Sequence, residues 1–123
     1  MSNETKQALR LRAIACKGFR YVPGMRYLFE LATGVWTWAR VIDGEYGGGL
    51  WDGCVVDLDD AATLGGLLAL VRAAWGDAVE IEVTSLANGE GFIVIREDDV
   101  DVWEGFGFDS LAAALVAALE AAP

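Results

Sequence analysis

The chain has no histidine among its 123 residues. Without imidazole it has no Ser-His-Asp or Cys-His catalysis, no His-ligated metal site and no ordinary charge switch near neutral pH. It has only two cysteines, Cys16 and Cys54, too few and too far apart for a disulfide framework or a zinc site. They read as small buried hydrophobes of a reducing compartment. Long apolar runs are also missing. The longest, Ala61 to Val71, contains Gly65 and Gly66 and stops at Arg72, short of the roughly 18–20 residues of a membrane span. The start, Met1 to Lys6, lacks the basic end and apolar run of a signal peptide. The expectation is a cytoplasmic protein with no membrane association. Ser2, Ser85 and Ser110 have no histidine or neighbouring lysine to activate them. The stretch Gly44 to Gly49 lacks the Lys-Ser/Thr ending of a phosphate loop and reads as a hairpin loop.

Basic residues are scarce. Nine Lys and Arg stand against 19 Asp and Glu, a formal charge of −10, and they are unevenly placed. Residues 1–40 carry seven basic and two acidic residues; residues 41–123 carry Arg72 and Arg96 against 17 acids. Such asymmetry bears on partners rather than on fold. The acidic body opposes direct binding of nucleic acid. The basic arm has two candidate seats, the chain's own acidic body or that of a second copy. A content of 54% hydrophobic and 23% charged residues is that of a globular protein, and 123 residues make one domain.

Periodicity and punctuation order the elements. Glu4 to Cys16 reads as a helix ended by Gly18. Met25 to Leu31 and Val35 to Ile42 read as strands around a Thr33-Gly34 turn. Trp36 and Trp38, two apart, share a face of the second strand, which we place in the core. A short strand is expected at Cys54 to Val56. Asp59 or Asp60 caps a helix whose stripe is Leu64, Leu68, Val71 and Trp75, stopped by Gly76. Gly65 and Gly66 within it suggest close approach of another backbone. Val79 to Val83 alternates apolar and acidic residues, as a half-exposed strand does. Asn88-Gly89 lies in a hairpin loop, Phe92 to Arg96 is the return strand, and Val100 to Trp103 a third. Asp109 caps a last helix with Leu111, Leu115 and Leu119. The expected fold is a single α+β domain over residues 1–123, an antiparallel sheet with helices on one face. Its parts are a basic helix or arm (1–24), a β-rich part (25–58) and an α-β-β-β-α part (59–123).

The stretch Asp57-Leu58-Asp59-Asp60-Ala61-Ala62-Thr63-Leu64-Gly65-Gly66, continuing to Asp77, and the tail Leu115 to Pro123 resemble small proteins encoded by bacteriophages and prophages. The α-β-β-β-α order is similar to the family named for a phage α-β-α sandwich. The resemblance covers about residues 50–123 and rests on caps and packing positions. It implies a phage origin and a fold, and carries no catalytic residues.

Glu97-Asp98-Asp99-Val100-Asp101, with Glu104 behind it, is the densest acid run. Hard carboxylate oxygens suit Ca²⁺ or Mg²⁺, but the EF-hand spacing is missing. Glu80 and Glu82 lie on one strand face about 7 Å apart, within reach of a two-carboxylate acid/base pair and equally at home on a solvated face. An indole amid carboxylates, Trp103, has the make-up of a binding anchor with a steering rim. The expected protein-binding residues are therefore Glu97, Asp98, Asp99, Asp101, Trp103 and Glu104, with Trp51 beside the glycine loop. No catalytic residue, metal or cofactor is expected. The leading functional expectation is a non-enzymatic, phage-derived accessory protein that binds a host protein with a basic surface. Inhibition of a host defence nuclease, in the manner of anti-CRISPR proteins, is one form of it. The rivals are an assembly accessory forming a small homo-oligomer and a metal-dependent enzyme using the acid clusters.

Overall fold

The computed structural model of the chain describes residues 5–42, 46–47 and 54–123. The elements in order are α1 (Lys6–Ala15), β1 (Arg20–Tyr21), β2 (Arg26–Ala32), β3 (Val35–Arg40), β4 (Tyr46–Gly47), β5 (Val55–Val56), α2 (Ala61–Trp75), β6 (Val79–Ser85), β7 (Gly91–Glu97), β8 (Val100–Phe108) and α3 (Leu111–Ala121). The α+β class is as expected, but the strands form more than one sheet. Among the described residues there are two three-stranded sheets, ordered β3-β2-β5 and β6-β7-β8, and a two-stranded ribbon, β1-β4. All pairings are antiparallel. Helix α3 lies over β7 and β8, α2 packs beside it and touches β6, and α1 packs on α3 and β5. No helix among the described residues is long and apolar enough to cross a membrane.

Each helix begins on a side-chain cap that satisfies an orphan N–H group of the first turn. Thr5 accepts from Ala8 N at 3.1 Å, Asp60 from Thr63 N at 3.0 Å, and Ser110 from Ala113 N at 3.1 Å. Asp60 was one of the two caps expected for α2. For α3 the expected cap, Asp109, is corrected to Ser110: β8 runs on to Phe108, and Asp109 is an exposed link.

The interior is built from Tyr21, Met25, Val56, Leu67, Val71, Ile93, Ile95, Leu115 and Val116, each under 2% exposed. On α2 the expected stripe is displaced by about one residue. Thr63, Leu67, Leu70 and Val71 are buried, whereas Leu64, Leu68 and Trp75 are half-buried at its border. The helix is apolar nearly all round, so periodicity alone could not choose its face; packing against α3 does. The close approach of another backbone expected at the glycine pair is corrected: a Cβ at Gly66 would lie 3.0 Å from Met25 and Val22 side-chain atoms, and Gly65 has open space.

Trp36 and Trp38 share a face as expected but are not in the core. They are 51% and 54% exposed. The helix on this sheet, α1, packs at β5, and β3 lies at the opposite edge. The other face of the β2–β3 hairpin carries Tyr27 and Phe29, and Tyr27 meets Tyr21 of β1, which packs on Phe19, in ring contacts 5.1 to 6.1 Å apart.

Candidate functional site: the open face of the β6-β7-β8 sheet

Strand alternation divides this sheet into two faces. Toward the helices stand Val79, Ile81 and Val83 of β6, Ile93 and Ile95 of β7, and Trp103 and Phe108 of β8. The opposite face consists of three cross-strand rows. Glu80 pairs with Arg96, which pairs with Asp101; Glu82 pairs with Val94, which pairs with Glu104. Thr84 pairs with Phe92, whose ring lies 5.4 Å from that of Phe106. Each row therefore has its own chemistry: a cation between two acids, a valine between two acids, and an aromatic pair.

Two irregularities in β8 build this face. The register with β7 shifts between Ile95 and Arg96, so that Arg96 faces Asp101 but Ile95 faces Trp103, leaving Val102 as an extra residue. A β-bulge of this kind reverses the side-chain alternation beyond it. Unbroken alternation would have put Val102 inside and Trp103 outside. The bulge instead exposes Val102, at 45%, and turns the Trp103 indole toward the helices. There it is half-buried, with its ring 6.3 Å from that of Trp75. Trp75 in turn donates its indole N–H to the Ala118 carbonyl at 2.9 Å. A second shift, between Gly91 and Ile93, lets Phe106 reach Phe92 on the open face. At Gly105 a Cβ would lie 2.6 Å from the Phe108 ring and 2.9 Å from that of Trp103, so a larger residue would have to push these rings aside.

The expected acidic residues fall around one end of this face. Glu97 ends β7. Asp98 and Asp99 form the two-residue turn to β8 with φ of 52° and 64°, a left-handed geometry that Asp tolerates better than most residues. Asp101 and Glu104 stand on the open face itself. Trp103 is thus separated from the carboxylates that surround it in sequence, and the freely exposed indole is corrected to a half-buried one. Trp51 lies outside the described residues, as does most of the glycine loop. Sequence reasoning did not single out Phe92, Arg96, Val102 and Phe106. The signal for Phe106 was hidden between Gly105 and Gly107, which interrupt the strand pattern.

Arg96 is the one cation within residues 79–104, against eight acids. Its Nε donates to Asp101 at 2.8 Å and its Nη2 to Glu82 at 3.4 Å. Desolvation opposes its charge, but the two carboxylates outweigh it and raise its pKa. Glu80, Glu82, Asp101 and Glu104 are all exposed. With one arginine among them, the face stays strongly negative and can attract cationic groups over a distance.

The other acidic cluster is spent internally. Arg26 Nε donates to Asp57 at 2.7 Å, Arg40 to Asp60 at 2.8 Å, and Lys6 to Asp59 at 3.1 Å. Arg10 lies 3.5 Å from Asp59 and 3.9 Å from Asp57, and Arg12 Nε donates to Glu120 at 3.1 Å. The basic arm therefore docks on its own chain. The hydrogen bond from Arg40 holds the Asp60 carboxyl well below the usual carboxylate range against the desolvation that opposes it, and Thr63 assists. A groove of about 410 Å³ beside this network, between α1 and the start of α3, is lined by both signs of charge, Lys6 and Arg10 against Asp59 and Asp109.

Both cysteines are free and half-buried. Burial pushes each thiol up from its ordinary value, with Glu120 adding to the effect at Cys16, so neither is an activated nucleophile. Among the described residues, no group of three or more Cys, Asp or Glu side chains is placed to hold a metal ion. Comparison of the chain with protein-family models, with curated proteins and with solved structures gives no match.

Proposed function

We propose that the protein is a non-enzymatic docking module whose open β6-β7-β8 face binds a basic surface on a partner protein. The observation that carries this reading is the juxtaposition on one helix-free sheet face of four exposed carboxylates, Glu80, Glu82, Asp101 and Glu104, with an aromatic pair whose outer member, Phe106, is 59% exposed. Exposing a phenylalanine to water is unfavourable by roughly 1.5–3 kcal/mol relative to burying it. A docking partner recovers that energy, while the carboxylates steer its approach and fix its orientation. Arg96 bridges Asp101 and Glu82 across the strands, which favours an ordered arrangement of the face and so a lower ordering cost of binding.

In the form that the resemblance to phage proteins implies, the partner is a host protein, and a defence nuclease is the concrete case. The acidic rows would then occupy a groove built for a polyanion, because lysine and arginine side chains do not distinguish carboxylates from phosphates at long range. A cytoplasmic setting belongs to the same proposal. The reading of a small homo-oligomer in which the basic arm seats on a second copy's acidic body is the weaker one, since Lys6, Arg10, Arg12, Arg26 and Arg40 are already paired within the chain.

The test is competition. A protein captured on the immobilised chain at low salt is purified and titrated with the chain in the presence of heparin. Mutually exclusive binding, weakened by salt, is the expected result. Simultaneous binding of both would contradict occupation of a polyanion site.

A further inference from the structure

Two adjacent rows of the open β6-β7-β8 face share their outer residues and differ in the middle one. In the first, Arg96 stands between Glu80 and Asp101. In the second, Glu82 and Glu104 take the outer places, but the middle is Val94. Val94 is only 5% exposed and lies outside the core under the helices. It gives the row a closed apolar floor and no charge to set against its acids. Arg96 does not fill the gap. Its shorter bond, 2.8 Å, goes to Asp101, and it reaches Glu82 at 3.4 Å. Among the described residues no cation lies within ion-pair distance of Glu104. Two residues along β8, a Cα separation of about 7 Å, stands Phe106, 59% exposed, with its ring against that of Phe92.

A carboxylate and an aromatic ring occur together elsewhere in the chain, and there a guanidinium joins them. Arg26 lies 4.8 Å from the Trp38 ring centroid while its Nε donates to Asp57 at 2.7 Å. One guanidinium serves both because its flat face stacks on a ring while its edge donates to oxygen. At Glu104 and Phe106 the carboxylate and the ring are present and the guanidinium is not. We infer that this gap is the seat of one arginine side chain of the partner protein, stacked on Phe106, donating to Glu104 and facing Glu82 across the Val94 floor. The inference rests on the docking reading above and names the group that the face recognises. Charge complementarity sets the occupant. Four exposed carboxylates repel an anionic group. A purely apolar side chain placed on Phe106 would cover Glu104 without pairing it, which is costly. Lysine brings the charge but no flat face to lay on the ring.

Titration of the full chain with two capped tripeptides, acetyl-Gly-Arg-Gly-amide and acetyl-Gly-Lys-Gly-amide, followed by NMR, tests this. The arginine peptide should bind the wild type more tightly than the lysine peptide. It should shift the amides of Glu104 and Phe106, and its own δ-methylene protons should move upfield in the ring current. Phe106→Leu keeps an apolar side chain but removes the ring. It should weaken arginine binding about twofold to fivefold, the worth of a cation–π contact at an exposed site, and abolish the preference over lysine. Glu104→Gln should weaken both peptides. Asp77→Asn, the same loss of charge at an exposed position off the face, should leave both unchanged. The wild-type comparison stands even where a variant fails to fold. Equal binding of the two peptides, or an arginine preference that survives Phe106→Leu, overturns the seat and leaves the acidic docking face standing. A loss in Asp77→Asn as large as in Glu104→Gln overturns it as well, because binding then follows net charge. A wild type that responds to neither peptide also overturns the seat, while the competition with heparin decides the docking reading separately.

Discussion

Asp60 serves several partners at once. Its carboxylate caps α2, accepts from the Thr63 hydroxyl at 3.0 Å and pairs with Arg40. Its native pKa lies below the unfolded value. Its contribution is therefore complete above the ordinary carboxylate range, near pH 4, and is lost as the pH falls from there toward the native value. Asp60→Asn retains a capping oxygen but loses the charge. It should cost about 1–2 kcal/mol at pH 7, and its denaturant midpoint should fall less steeply than that of the wild type as the pH drops below the ordinary carboxylate range. Parallel slopes would show that Asp60 does not carry the acid limb. Trp103 supplies the complementary case. Packed on Trp75 and tied through it to α3, it belongs to the packing between sheet and helices, and Trp103→Ala should destabilise by about 3 kcal/mol. A melting temperature that stays unchanged would put the indole back among the surface anchors.

At the scale of elements, legibility tracked local chemistry. Asp60, Gly76 and the alternating Val79-Glu80-Ile81-Glu82-Val83 each act through their own neighbours, and the elements they mark lie where the sequence places them. The α+β class follows from that order. What could not be read depended on residues far away in the chain. The face of α2 is chosen by α3 and by Met25, not by its own nearly uniform apolar surface. The β8 bulge at Val102 is set by pairing with β7, and it exchanges the faces of Val102 and Trp103. The candidate site was legible as an acid run but not as a surface, since Glu82, Arg96 and Phe92 come from two other strands. The α2 face has a direct test. Leu67, fully buried, should lose roughly 2–5 kcal/mol on truncation to alanine, and Leu68, at the border of the packed face, clearly less. Equal losses in chemical denaturation would mean that the helix is rotated from the position described.

At the scale of the whole molecule, charge is sorted rather than merely negative. Five of the seven cations of the first 40 residues, Lys6, Arg10, Arg12, Arg26 and Arg40, pair with Asp57, Asp59, Asp60 and Glu120, which leaves the β6-β7-β8 face as the concentrated field. The protein should accordingly show no micromolar binding to duplex DNA or RNA at physiological salt, because five of its nine cations are already paired with its own acids and few remain to release counterions. A gel shift under those conditions would show that the basic arm lifts away from its own acids. The central claim is that the open sheet face, and not the indole within the acid run, is the working surface. It is tested most directly by capture of a basic partner on three immobilised chains compared at equal folded fraction: wild type, Trp103→Phe, and the double variant Glu104→Gln, Phe106→Ala. The account predicts capture by the wild type and by Trp103→Phe, and its loss in the double variant. Capture that survives in the double variant and disappears in Trp103→Phe would contradict it.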